Sequence, residues 1–159
     1  MLMLLFQINN QRYAIASQQI VEVIPLVNLT KLPHTPEYFA GVFNYRGRII
    51  PVIDLCQLMG NQSCVEHLST RIILINHWDR DATEESTPHI MGLMAQRVIE
   101  TLQKSDIDLV EVDIQIDKPP YLGKMIVDEQ GMIQCLHVEY LLSEVQQAYL
   151  VAEVHSEYK

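Results

Sequence analysis

The sequence contains no long hydrophobic segment. None of its apolar runs approaches the roughly 20 residues that a transmembrane helix requires, so we expect no membrane insertion. The opening run MLMLLFQI lacks the basic start and the small-residue cleavage site of a signal peptide, and it predicts a first β-strand instead. We therefore expect a cytoplasmic protein.

Cysteine is scarce and odd in number. Cys56, Cys64 and Cys135 form no CxxC motif and leave one cysteine over in any pairing, which fits an oxidising compartment poorly. We interpret all three as buried thiols. A metal site built from Cys56, Cys64 and His67 would lack a fourth ligand, and the six histidines form no HxH or HExxH motif. We predict neither a metal nor a cofactor.

Basic residues are also few. The chain has 11 Lys and Arg against 20 Asp and Glu, for a formal net charge of −9. Residues 1–60 are close to neutral, so the negative excess lies in the rest of the chain. A chain without a basic stripe cannot neutralise phosphates, which excludes nucleic acid and anionic membrane surfaces as partners. Protein partners remain.

Motifs for nucleophilic catalysis and nucleotide binding are missing as well. The chain has no GxSxG, no P-loop and no GxGxxG, so we expect that it is not an enzyme. One alternative is a regulatory β-barrel that binds a small ligand in a cleft lined by some of the seven methionines. Methionine more often fills gaps in a core.

The chain is rich in short runs of β-branched and aromatic residues separated by turn signals, which predicts an antiparallel β-sandwich or β-barrel. About ten such runs occur: MLMLLFQI, RYAI, NLTKL, GVFNY, RIIPVID, TRIILIN, HIMGLMA, RVIETLQ, YLGKMIV and MIQCLHV. Predicted helices are brief: QQIVEVI capped by Ser17, LCQLM capped by Asp54, and EYLLSEVQQAYLVAEV near the C-terminus. Residues 61–69 are the expected crossing between two halves, and residues 77–88 form a polar insert between strands.

Each half contains a similar phrase. GRIIPVIDLCQLMG and GMIQCLHVEYLLSE both run from a glycine through a short strand into an apolar helix. Two related barrels would explain this weak repeat.

The phrase GVFNYRGRIIPVIDL, residues 41–55, predicts a β-hairpin that bends at Arg46 and Gly47. A bend requires only the glycine, so Arg46 and Arg48 either keep the turn soluble or recognise a partner carboxylate, which arginine grips with two parallel hydrogen bonds. Upstream, Glu22 lies among apolar neighbours in IVEVIPL; it either faces solvent on a short helix or lies close to buried surface.

Together with IVEVIPL at residues 20–26 and LGKMIVDEQGMIQCLHVEYLL at residues 122–142, that phrase resembles the CheW family of chemotaxis coupling proteins. The resemblance implies an all-β fold of two small five-stranded SH3-like β-barrels packed together, with short helices and a C-terminal helix. The whole chain, residues 1–159, would form one such domain with two intertwined barrels. The opening residues and EHLSTRIILI further resemble a branch that serves Wsp-type surface-sensing pathways.

The resemblance implies an adaptor that couples methyl-accepting chemoreceptors to a histidine kinase. Its partners would be the regulatory domain of a CheA-type histidine kinase and the cytoplasmic tip of the chemoreceptor, and the protein would be recruited to membrane-bound receptor arrays. The positions that match the family's interface are Glu22, Gly41, Asn44, Arg46 and Gly47. Tyr45 differs, because the family usually has an aliphatic residue there.

Overall fold

The computed structural model describes residues 2–60, 62–77, 89–103, 109–110 and 119–141. These residues form ten β-strands and a few short helices, which confirms the predicted all-β class. The strands are β1 (Leu2–Ile8), β2 (Gln11–Ala16), β3 (Ile20–Pro25), β4 (Phe39–Tyr45), β5 (Arg48–Asp54), β6 (Arg71–His77), β7 (His89–Gln103), β8 (Leu109–Val110), β9 (Leu122–Asp128) and β10 (Gly131–Leu136). The helical pieces are a 3₁₀ turn (Ser17–Gln19), α1 (Leu55–Gly60) and residues 138–141. None of the helices within these residues is long and apolar enough to span a membrane.

Strand β7 organises the sheet because its two halves pair with different strands. Its first half pairs antiparallel with β6 and, over residues 92–94, parallel with β5; its second half pairs antiparallel with β1. The first strand group is therefore β3, β6, the first half of β7, β5 and β4, in that order. The second strand group is the other half of β7 followed by β1, β2, β10, β9 and β8.

Three buried clusters fill the space around these groups. A central cluster draws on both groups, with Phe6 of β1, Ile73 of β6 and Leu93 of β7 among its members. One cluster belongs to the first strand group and includes Ile72 and Leu74, whereas another belongs to the second group. Strand β6 thus buries both faces, which explains why its sequence is a continuous apolar run rather than an alternating one.

The weak internal repeat corresponds to equivalent structure in the two groups. Strand β5 pairs antiparallel with β4 and parallel with β7 and continues into α1. Strand β10 pairs antiparallel with β9 and parallel with β2, and it leads into the helical residues 138–141. In each strand group, one hairpin therefore ends in a strand that has a parallel neighbour and a following helix.

Three local predictions are wrong. The run QQIVEVI, predicted to be a helix, forms the 3₁₀ turn and then β3, because its β-branched residues favour the strand that pairs with β6. The run NLTKL forms only an isolated bridge between Thr30 and Val42. HIMGLMA and RVIETLQ, predicted as separate strands, are the two halves of β7.

The remaining expectations concern connections. Residues 62–69 join α1 to β6 inside the first strand group, and the chain passes between the groups at the β2–β3 connection and along β7. The assignment of residues 1–159 to one domain of two intertwined barrels stays a prediction. Of the insert at residues 77–88, residues 78–88 lie outside the described residues, as does the predicted C-terminal helix beyond residue 141.

Helix α1 begins as predicted, because the buried Asp54 carboxylate accepts a hydrogen bond from the Gln57 amide at 3.1 Å. The Cys64 amide donates to both carboxylate oxygens, at 3.1 and 3.3 Å. Burial raises the pKa of the Asp54 carboxyl, and the amide hydrogen bonds oppose that rise. The interpretation of all three cysteines as thiols is wrong: Cys56 and Cys64 form a disulfide, and only Cys135 is a buried free thiol.

A fragment of residues 1–69 is expected to be mostly unfolded, because it lacks the β7 backbone that pairs with both β1 and β5. Circular dichroism during a urea titration, with the full chain as the control, measures this. A cooperative unfolding transition in the fragment would contradict the dependence on β7.

Asp54→Ala is expected to lower the free energy of unfolding by about 2–4 kcal/mol, because it removes a helix cap and leaves the Cys64 amide unpaired. Chemical denaturation under reducing conditions measures the loss without a contribution from the disulfide. Asp54→Asn keeps an acceptor for the Gln57 amide and should lose distinctly less. Equal losses in the two variants would show that the cap contributes nothing.

Candidate functional site

The turn between β4 and β5 has only two residues, Arg46 and Gly47, and both have positive φ, at 51° and 85°. This is the conformation of a type I′ turn, which matches the twist of the flanking strands. The Asn44 side-chain oxygen accepts a hydrogen bond from the Gly47 amide at 2.9 Å and fixes the turn. Left-handed backbone costs a residue with a side chain about 1–2 kcal/mol, so the turn alone does not favour an arginine at position 46.

Glu22 reaches this turn from β3. The Tyr45 hydroxyl donates a hydrogen bond to Glu22 Oε2, and Arg46 Nη2 lies 3.6 Å from the same oxygen. The Arg46 guanidinium carbon lies 5.0 Å from the centroid of the Tyr45 ring, within the range of a cation–π contact. We call Glu22, Tyr45 and Arg46 the turn cluster.

The turn cluster lies where the first strand group ends. Strands β3 and β4 are its two outermost strands, and the hydrogen bond from Tyr45 to Glu22 connects one with the other. The chain between them also covers the edge of β4, because Thr30 and Val42 exchange two backbone hydrogen bonds of 2.9 Å. The side chains of Tyr45 and Glu22 therefore link two edge strands that do not pair with each other through their backbones.

Four of the five predicted site residues meet at this turn, namely Glu22, Asn44, Arg46 and Gly47. Gly41 is different, because it is buried and has a φ of 141°. A Cβ atom there would lie 2.7 Å from the Thr30 carbonyl oxygen. Gly41 thus acts through backbone geometry by admitting the Thr30 bridge, and direct contact of the other four with a partner stays a prediction.

Tyr45 is the member of the cluster whose part in it the sequence did not reveal. The hydrogen bond to Glu22 is the main cause that raises the pKa of the Tyr45 hydroxyl, with partial burial second, while the nearby Arg46 charge opposes the rise. The hydroxyl therefore keeps its proton at neutral pH and remains a donor. The alternation of Phe43 and Tyr45 along β4 was the available signal, since both rings lie on one face and meet edge to face at 6.3 Å.

The second strand group offers an informative contrast. Near its β9–β10 turn, Arg12 donates to both oxygens of Asp128, at 2.6 and 2.9 Å, and the two side chains are only 18% and 22% exposed. In the turn cluster, the side chains of Arg46 and Glu22 are 76% and 40% exposed. Arg12 is held inside the protein by its ion pair, whereas Arg46 presents most of its guanidinium to solvent.

Comparisons with known proteins agree with the fold. The model of the CheW-like domain matches residues 2–146. The chain is 32% identical over 107 residues to the chemotaxis protein CheW of Helicobacter pylori, covering 66% of this chain and 59% of that protein. It is 28% identical over 143 residues to the chemotaxis protein CheW of Thermotoga maritima, covering 88% of this chain and 86% of that protein.

A solved structure is also similar. The crystal structure of the scaffolding protein TtCheW from Thermoanaerobacter tengcongensis has a TM-score of 0.74 and 23% identity, covering 89% of this chain and 86% of that one. This likeness confirms the predicted fold class of SH3-like β-barrels with short helices.

Glu22→Gln is expected to lower the pKa of Tyr45 toward its ordinary value of about 10, because the charged acceptor is lost. In the wild type, the stabilisation from this hydrogen bond is complete below about pH 10 and disappears as the pH rises through the raised pKa. An NMR titration of the Tyr45 ring carbons measures the shift, and Glu66→Gln, an exposed acid on the α1–β6 connection, is the control. An unchanged Tyr45 titration would contradict the geometry of the cluster.

Proposed function

Because the chain belongs to the CheW-like domain family, we propose that it is a non-catalytic adaptor that couples chemoreceptors to a CheA-type histidine kinase. An adaptor supplies no reacting group. It raises the effective concentration of kinase near receptor and lets the receptor bias the conformational equilibrium of the kinase. The kinase's regulatory domain and the receptor's cytoplasmic tip are the two partners, and the complex forms on the cytoplasmic side at membrane-bound receptor arrays.

The exposed Arg46 is the observation that carries the kinase-binding part of the proposal. Its backbone lies in a costly left-handed conformation, its guanidinium rests on the Tyr45 ring, and Glu22 orients it from the neighbouring edge strand. A side chain that is already positioned loses less conformational entropy when it binds. The Arg46 guanidinium is thus positioned to donate two parallel hydrogen bonds to a carboxylate on the partner.

Exposed apolar side chains lie on β3 and β5, close in sequence to the turn cluster. Ile49 of β5, directly across from Asn44, is 65% exposed, and Val21 precedes Glu22 and is also exposed. Well-packed interfaces combine an arginine or aromatic anchor with surrounding apolar side chains that exclude water. We assign this surface to the regulatory domain of the kinase, and the groove between the two strand groups to the helical hairpin of the receptor; the second assignment rests on family membership.

Two finer points follow from the sequence. The assignment to a Wsp-type surface-sensing branch stays a prediction. The alternative function, a barrel that binds a small ligand, has no support from the comparisons, and Met91 and Met94 pack inside buried clusters as core residues. The adaptor function is therefore the one that we retain.

Arg46→Ala is expected to leave the melting temperature close to that of the wild type, because an exposed ion pair at 3.6 Å contributes about 0–1 kcal/mol to stability. Binding to the kinase regulatory domain should weaken about fivefold or more, since truncation of an interface arginine typically costs about 1–4 kcal/mol. Titration calorimetry against the kinase regulatory domain and against a receptor cytoplasmic fragment measures both affinities.

Arg48→Ala is the matched control, because Arg48 is an exposed arginine two residues away on β5 and lies outside the positions that match the family's interface. It should change affinity much less than Arg46→Ala. Equal and small effects of the two variants on both partners would reduce the turn arginines to solubilising residues and remove the kinase-binding role of the turn cluster.

A further inference from the structure

A pair of cysteines lies apart from the turn cluster, in the connection that follows β5. Cys56 is fully buried in α1, and Cys64 is partly exposed in the connection from α1 to β6. The two are eight residues apart in sequence, their Cα atoms are 5.2 Å apart, and their sulfurs are bonded. Nothing in the proposed adaptor function uses this bond.

The two residues are held together by more than the sulfur–sulfur bond. The Asp54 carboxylate accepts hydrogen bonds from the Cys64 amide with both oxygens and also caps the helix that carries Cys56. These hydrogen bonds do not depend on the oxidation state of the sulfurs. Reduction therefore leaves the two thiols close together, and little conformational entropy has to be lost when the disulfide forms again.

The reduced state also has a partner for the more exposed sulfur. Cys64 Sγ lies 3.5 Å from the Met94 carbonyl oxygen on β7, so a Cys64 thiol can donate its proton there without a backbone rearrangement. Both oxidation states of residue 64 thus fit the same surroundings.

The third cysteine cannot compete for this pairing. Cys135 lies in the buried cluster of the second strand group, and burial raises the pKa of its thiol to about 11. Cys56 is also buried, but it lies beside Cys64 and needs no access from solvent to attack it, whereas a buried Cys135 would have to meet the small molecule itself as a thiolate. The bond between Cys56 and Cys64 is therefore the disulfide that exchange with a small molecule selects.

We propose that Cys56 and Cys64 form a reversible thiol–disulfide site, oxidised by a low-molecular-weight disulfide of the glutathione class. The Cys64 thiolate attacks the glutathione disulfide, whose sulfur–sulfur bond breaks and releases one glutathione thiolate. The Cys56 thiolate then attacks Cys64 Sγ, forms the internal disulfide and releases the second glutathione. The two protein thiols lose two protons and two electrons, and the glutathione disulfide takes up both.

The site controls how firmly the α1–β6 connection is held. The disulfide closes a loop of nine residues that includes all of α1 except Leu55, next to the end of the hairpin strand β5. Closing a loop of this size restricts the unfolded chain, and the oxidised protein should melt roughly 5–10 °C above the reduced protein.

The experiment equilibrates the full chain in glutathione buffers of varied ratio, alkylates the remaining thiols after denaturation, and measures intact mass and melting temperature. We expect two thiols to disappear together while one remains, with residues 56 and 64 in one cross-linked peptide. Cys64→Ser should abolish the redox-dependent shift in melting temperature, and its hydroxyl can still donate to Met94. Cys135→Ser is the matched control and should keep the wild-type shift.

Three outcomes would overturn the proposal. The first is a melting temperature that does not change between reduced and oxidised wild type, and the second is a disulfide that includes Cys135. The third is tight, stoichiometric zinc binding by the reduced protein, measured with a chromogenic chelator. Ligand atoms of Asp54, Cys56 and Cys64 lie within 4.8 Å of one another, so zinc bound there would make this a metal site instead.

Discussion

The backbone pairing of β7 is the interaction on which the rest of the structure depends. One strand of fifteen residues supplies hydrogen-bond partners for β5 and β6 along its first half and for β1 along its second. The central cluster then packs residues from both strand groups together, so neither group has a complete core of its own. The hairpin that carries Arg46 is held in place by this arrangement through β5, which runs parallel to β7.

The candidate site follows from where that pairing ends. A row of strands leaves two outer edges, and in the first strand group the edges of β3 and β4 are joined by Tyr45 and Glu22, while the Thr30 bridge covers part of the β4 edge. Groups that close the edge are partly exposed, because only one side of them packs against protein. The same side chains therefore stabilise the fold on one side and face solvent on the other, and this makes an edge a suitable place for recognition.

Local patterns in the sequence were sufficient for the strand class, the Arg46–Gly47 turn and the Asp54 cap, since each depends on neighbours within a few residues. They failed where distant pairing decides. The sequence of β3 is compatible with a helix, and only its pairing with β6 makes it a strand. The ion pair of Arg12 and Asp128 could not be predicted locally, because the two residues are 116 positions apart in sequence. The disulfide was not predicted because the odd number of cysteines argued against a disulfide-bonded protein. Cys56 and Cys64 are nevertheless only eight residues apart in sequence, and the Asp54 carboxylate holds the Cys64 backbone close to the helix that carries Cys56. The resemblance to a family named Glu22, Asn44, Arg46 and Gly47 together, and the structure brings them to one turn, while their contact with a partner stays a prediction.

The topology also sets an order of events during synthesis. Strands β1 and β2 leave the ribosome first, yet Arg12 of β2 pairs in register with Ile133 of β10. At roughly 5–20 residues per second, β2 waits about 6–24 s for that partner. Strands β3 to β6 and the first half of β7 are contiguous in the chain, so their strand pairs can form while the ribosome is still translating the residues that complete the central cluster. Until the later strands are translated, β1 has only β2 as a pairing partner, and its other edge is the kind of exposed apolar strand edge that promotes aggregation.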